Sequence, residues 1–156
     1  MRRKRIGRKN FHGSVDITDP GYDKDVFCRI NNLPIAEGIY DCVVWYQMEG
    51  SNEKEKQYAY SMVGIIGIYR NGEIPPQKKM ELIGTIGVDA GLAGFFHNKP
   101  DYTDNEWGKF IGQLTCGDVW LTEEGFFSAS GYGDGIYPVY ASKSRGTIDA
   151  LEIRFL

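Results

Sequence analysis

The chain has 156 residues, 42% hydrophobic and 25% charged, with a formal net charge of −3. That length and balance fit one globular domain that buries a core without a disulfide or metal staple. No apolar run approaches a membrane span and no apolar segment of a signal peptide follows the basic start, so membrane and secretory readings are excluded and a cytoplasmic, reducing compartment is expected.

The net charge conceals an asymmetry. Arg2, Arg3, Lys4, Arg5, Arg8 and Lys9 fall in the first ten residues with no acid among them. Without these six, 12 basic residues face 21 acidic ones, a body of −9 that repels nucleic acid and anionic lipid. Residues 1–10 therefore read as a flexible, solvated basic arm ahead of one β-rich domain over residues 11–156. Nucleic acid is expected to bind at most weakly and non-specifically through residues 2–9. Clustered cations contact phosphate, but no aromatic before Phe11 offers a stacking face. Deleting the arm is expected to leave the fold intact, since it offers only Ile6 to a core.

Twenty glycines and 18 tyrosines and phenylalanines favour turns and strands over long helices. Residues 15–17 read as a short strand that enters an acidic turn at Pro20-Gly21. Asp16, Asp19, Asp23 and Asp25 lack the Gly and Glu spacing of an EF-hand calcium loop and read as turn caps. Residues 26–30 read as a strand and 31–34 as a loop. Ile39–Met48 places Tyr40, Cys42, Val44 and Tyr46 on one face and Ile39, Asp41, Val43, Trp45 and Gln47 on the other, which predicts a central strand covered on both sides. Residues 49–57 read as a charged hairpin loop leading to a predicted strand over 58–70, where Gly64 and Gly67 suggest a bulge or a close approach.

Asn71-Gly72 is a tight-turn pair. Residues 80–88 are an apolar strand ending in Asp89-Ala-Gly91-Leu-Ala-Gly94-Phe-Phe96. This glycine-rich stretch lacks both the Lys-Ser/Thr ending and the GxGxxG spacing of a phosphate loop. Thr103-Asp-Asn-Glu106 is a capping box and predicts a helix over 104–113, with Trp107, Phe110, Ile111 and Leu114 on its apolar face. Strands are predicted over 116–121, 125–130, 137–142 and 147–155. In the last, Leu151, Ile153 and Phe155 face inward while Ala150, Glu152 and Arg154 face water. The result is an all-β domain, mainly an antiparallel sandwich or distorted barrel of eight to ten strands, with one short helix near 104–113.

Val88-Asp-Ala-Gly91, Gly94-Phe-Phe96, Gly131-Tyr-Gly-Asp-Gly-Ile-Tyr-Pro-Val-Tyr140 and Ile153-Arg-Phe155 resemble an uncharacterised bacterial family, domain of unknown function number 4241. Asp19-Pro20 and Glu37-Gly38-Ile-Tyr40 resemble its first half more loosely, and the chain would be a short variant. The resemblance implies a small, soluble β-rich protein and no particular activity.

The candidate site is the pair of Asp-Gly-aromatic loops. Gly131, Gly133 and Gly135 permit positive φ around an unshielded Asp134, and Asp89 and Gly91 repeat the theme. The ligand-binding candidates are Asp89, Gly91, Tyr132, Asp134, Tyr137 and Tyr140. If Asp19, Asp89 and Asp134 converge, they offer oxygens to Mg²⁺ or Ca²⁺, or raise one carboxyl to act as a general acid. The competing reading is ordinary turn chemistry. His12 ends the arm and His97 lies in a loop, which does not make a His-rich zinc site. No GxSxG motif occurs. Cys28, Cys42 and Cys116 lack a CxxC pair and read as buried hydrophobes. The leading expectation is a non-enzymatic binding module for a small molecule or a protein with a basic surface. The alternatives are a metal-assisted hydrolase using the aspartates and a weak nucleic-acid binder.

Overall fold

A computed structural model describes residues 1–48, 61–114 and 116–156. The predicted 49–57 hairpin loop lies outside them. The described residues form two antiparallel sheets. One has six strands, in the order β1 (Arg2–Asn10), β4 (Ile39–Met48), β5 (Ser61–Arg70), β11 (Thr147–Arg154), β10 (Gly135–Ser144) and β6 (Glu81–Val88). The other has five, in the order β3 (Ile30–Pro34), β2 (Ser14–Thr18), β7 (Leu92–Phe96), β9 (Gly125–Ala129) and β8 (Val119–Leu121). One α-helix, α1 (Asp104–Gly112), and a 3-10 turn over Gln77–Lys79 complete the described elements. The all-β prediction holds and its form is the sandwich, with eleven strands among the described residues where eight to ten were expected. No helix among the described residues is long and apolar enough to cross a membrane.

Alternation along the strands decides the layers. Tyr40, Cys42, Val44, Ile66, Ile68, Ile86, Val139, Leu151 and Ile153 from the larger sheet meet Val15, Ile17, Ala93, Phe95 and Phe126 from the smaller in one buried core. The outer face of the larger sheet carries a second cluster of Val43, Tyr69 and Ala150, with Trp45 and Ile74 against it. The outer face of the smaller sheet presents Phe96 and Phe127 to Phe110 of α1, flanked by Tyr102, Trp107, Leu114 and Trp120. Trp107, Phe110 and Leu114 thus form the expected apolar face, whereas Ile111, expected on it too, is exposed, and the capping box is closed. Glu106 N–H donates to Thr103 Oγ1 at 3.2 Å, and Thr103 N–H donates to Glu106 Oε1 at 3.1 Å.

Gly64 and Gly67 play different parts. The β4–β5 register steps from Trp45↔Ile65 to Tyr46↔Val63, so Gly64 is the extra residue of a bulge. Gly67 makes room, because a Cβ there would stand 2.4 Å from the Tyr69 hydroxyl oxygen.

Three expectations are corrected. The basic segment is not a flexible arm but edge strand β1, paired with β4 from Arg2↔Tyr46 to Asn10↔Ile39. Five of its six cations, all but Lys4, are engaged along the strand. Arg2 and Arg3 lie 5.7 and 5.6 Å from the ring centroids of Tyr46 and Trp45. Arg8 and Arg5 approach Asp41 at 3.1 and 3.8 Å, and Lys9 donates to the carbonyls of Thr122 and Glu123. A charge run reads as solvated, yet a basic edge strand is also how a sheet discourages unwanted pairing. Second, strand and loop exchange places: residues 26–29 turn, with Val26 N–H bonded to the Asp23 carbonyl and the Arg29 side chain buried against Asp16, whereas residues 31–34, expected as a loop, belong to β3 and pair with β2. Third, Ala150 and Glu152 do not see water: Ala150 is buried in the cluster with Val43 and Tyr69, and Glu152 is fully buried because Tyr69, Trp45 and Arg154 cover the outer face there.

Candidate ligand cleft

The turn after β2 and the turn between β6 and β7 are tied together by one carboxylate. Asp19 is fully buried. Its Oδ1 accepts from Gly21 N–H at 2.7 Å, and its Oδ2 accepts from Asp89 N–H at 2.8 Å and Ala90 N–H at 2.7 Å. The acidic turn was expected to bond its own backbone, and Asp19 does so while also anchoring a segment 70 residues away in sequence. Asp16 works alike, accepting from the N–H groups of Asn32 and Lys99.

Beside this junction α1 begins. Between the two lies a cleft of about 210 Å³, lined by Asp19, Gly21, Tyr22, Asp89, Ala90, Tyr102, Asp104 and Trp107. Trp107 is fixed from two sides. Its ring stacks on Phe110 at 5.5 Å and 15° between planes, and its outer edge sits against Gly21, where a Cβ would be 3.3 Å away. Tyr102 stacks on Phe110 at 5.4 Å and carries Lys99 Nζ 4.4 Å from its ring centroid. Its hydroxyl is buried without a hydrogen-bond partner among the described residues. Tyr22 is held by its carbonyl, which accepts from Arg29 Nη1 and Lys99 Nζ. Burial foremost, then Cys28, pushes its phenol up to about 12, so it is a donor rather than a base at neutral pH. Burial, followed by Arg29, lowers the Lys99 ammonium below its ordinary range.

The predicted site residues divide. The two loops do meet at one end of the sandwich: Gly135 pairs with Val88, and Ser130 N–H donates to the Gly91 carbonyl at 3.1 Å. Asp89 lines the cleft, whereas Asp134 and the 75% exposed Tyr132 are not among its lining residues. Tyr137 is buried, donating to the Gly133 carbonyl at 2.7 Å and packing edge-on against Phe155, so it closes its own turn. Tyr140 lies under the Arg154 guanidinium, whose Cζ is 3.7 Å from the ring centroid, and is not among the cleft's lining residues. Gly91 takes φ 69 in the β6–β7 turn. Among the described residues no group of three His, Cys, Asp or Glu side chains is placed to hold a metal ion. Asp19, Asp89 and Asp134 therefore do not form the expected Mg²⁺ or Ca²⁺ site. Of the cysteines only Cys42 is buried, its thiol pushed up to about 12 by that burial; Cys28 is half-buried and Cys116 exposed.

Tyr22, Tyr102, Asp104 and Trp107 escaped the sequence reading as site residues. The signal was present in the capping box, which fixes Asp104 at the helix start and Trp107 one turn on, on the face turned to the sheet. Comparison with family models, with curated proteins and with solved structures finds no match.

Proposed function

We propose that the protein is a binding module whose cleft receives a cationic group, an ammonium or guanidinium carried by a small molecule or by a basic segment of a partner. One observation carries this reading: three carboxylates (Asp19, Asp89, Asp104) and three aromatic side chains (Tyr22, Tyr102, Trp107) line one cleft with no basic residue among its lining. A cation near an aromatic face is attracted by the ring quadrupole, by about 0.5–2 kcal/mol depending on desolvation. The Asp19 carboxylate is buried and held by three backbone N–H donors, so it fixes the two turns that carry Asp89 and Gly21 and adds negative potential from behind them, while Asp89 and Asp104 are the carboxylates left to meet a positive charge. About 210 Å³ is small against drug-sized pockets and suits a head group or one basic side chain. The excess of acid outside β1 steers such ligands inward. The resemblance to the family of domains of unknown function adds a β-rich class to this reading and no activity.

The test is calorimetric titration of the full chain with choline, with an arginine-containing peptide and with uncharged isosteres of both. At least one cation is expected to bind, its isostere at least tenfold more weakly, and Trp107→Ala or Asp89→Asn should weaken the cation by a similar factor. Isosteres that bind as well as the cations, or no cation binding at millimolar concentration, would sink the proposal. The hydrolase alternative gains nothing from this geometry, since Asp19 is engaged by backbone donors and Asp134 stands outside the cleft.

A further inference from the structure

We propose that His12 and His97 form a second, independent site for a transition-metal dication such as Zn²⁺, Ni²⁺ or Cu²⁺. The two histidines of the chain are remote in sequence, and the fold brings them together: β2 leads away from His12, and β7, its neighbour, ends at His97. Their ring centroids are 5.3 Å apart with planes at 54°. Two imidazoles on one tetrahedral ion have metal–nitrogen bonds of about 2.0–2.1 Å, which places each centroid about 3.2 Å from the ion and the centroids about 5.2 Å from each other. The observed separation needs little adjustment.

The hydrogen bonds of His97 fix which nitrogen is available. Nδ1 lies 3.2 Å from the Ser14 carbonyl oxygen, which only accepts, so Nδ1 carries the proton. The lone pair is then on Nε2, which accepts from the Asn98 amide at 3.2 Å. A ring N–H anchored on a backbone carbonyl is the usual outer support of a metal-bound histidine. An ion at Nε2 replaces the Asn98 N–H as partner of that lone pair. No hydrogen bond occupies the His12 ring among the described residues, and His12 is exposed while His97 is half-buried, so an ion has an entry path. His12 and Asn98 both hold positive φ, 52 and 50, a backbone region sparsely used outside glycine.

Two imidazoles without a third His, Cys, Asp or Glu leave the remaining positions to water. That makes an open, exchangeable site rather than a closed structural one. Nitrogen ligands select Zn²⁺, Ni²⁺ and Cu²⁺ over Mg²⁺ or Ca²⁺. The site is separate from the cleft: Asp89 and Ala90 precede β7 and His97 follows it, so the two lie at opposite ends of that strand.

The experiment titrates Zn²⁺ and Ni²⁺ into the full chain carrying Cys116→Ser, which removes the exposed thiol as a competing ligand. His12→Asn keeps a residue that tolerates positive φ, and His97→Gln keeps an amide near Ser14. One ion per chain is expected, with affinity at least tenfold lower in each single variant and no competition from a tenfold excess of Mg²⁺. Independently of the variants, the electron paramagnetic resonance spectrum of bound Cu²⁺ should show coupling to two imidazole nitrogens. The site is overturned by absence of stoichiometric binding, by affinity unchanged in both single variants, or by a Cu²⁺ spectrum with one coupled nitrogen or none.

Discussion

Glu152 shows how a correct period leads to a wrong environment. Alternation puts its side chain on the outer face of β11, as expected, but that face is covered. The carboxylate is fully buried, accepting from Tyr69 Oη at 2.7 Å and from Arg154 Nη2 at 2.9 Å, while Trp45 Nε1 donates to the Tyr69 oxygen at 3.2 Å. Burial first, and Glu152 next, push the Tyr69 phenol far above its ordinary value, so it remains a donor at any working pH. Tyr69→Phe removes a donor from a buried charge and is expected to cost about 1–3 kcal/mol by chemical denaturation; a loss below about 0.5 kcal/mol would contradict the network. Tyr102→Phe is the counterpart. Its hydroxyl is buried and unpartnered, so deleting it is expected to leave stability unchanged or slightly raised, and a loss beyond about 1 kcal/mol would mean that a partner holds it.

At the scale of elements, α1 was legible because its signals are local: a capping box, an apolar stripe and a polar remainder. Thr103→Ala is expected to cost about 1 kcal/mol. The Glu106 carboxyl is held below its ordinary value by the Thr103 backbone N–H first, then by the Thr103 side chain. A lowered pKa contributes stability at neutral pH that is lost as pH falls through the carboxylate range. Glu106→Gln should flatten that acid limb, and an unchanged pH profile would argue against the cap. β1 was illegible for the opposite reason, since its place depends on pairing with β4, some 30 residues on, and its charges mimic a tail. Removing residues 1–10 deletes a whole strand and uncovers the edge of β4. A fall in Tm of more than about 5 °C is expected, and a truncation that melts within a degree or two of the full chain would contradict the docked strand.

For the molecule as a whole, strand periodicity and turn chemistry were enough to read an antiparallel all-β domain with one helix, but not to choose the sandwich over a distorted barrel. They could not tell which loops would share a cleft. Asp89 stands out in the sequence as a lone carboxylate among glycines, and it lines the cleft. Tyr22 and Trp107 do not stand out, because each looks like packing until the Asp19 hydrogen bonds draw the β2 and β6–β7 turns up to α1. The same blindness applied to His12 and His97, which are neighbours only through the β2–β7 pairing. A cation is expected in the cleft and not at the exposed loop around Asp134, and chemical-shift mapping of the ¹⁵N-labelled full chain with choline and with the arginine-containing peptide distinguishes the two. Saturable shifts are predicted at the Trp107 indole N–H and at the amides of Gly21, Asp89 and Ala90. Shifts centred on residues 132–137, or none at Trp107 for either cation, would contradict it.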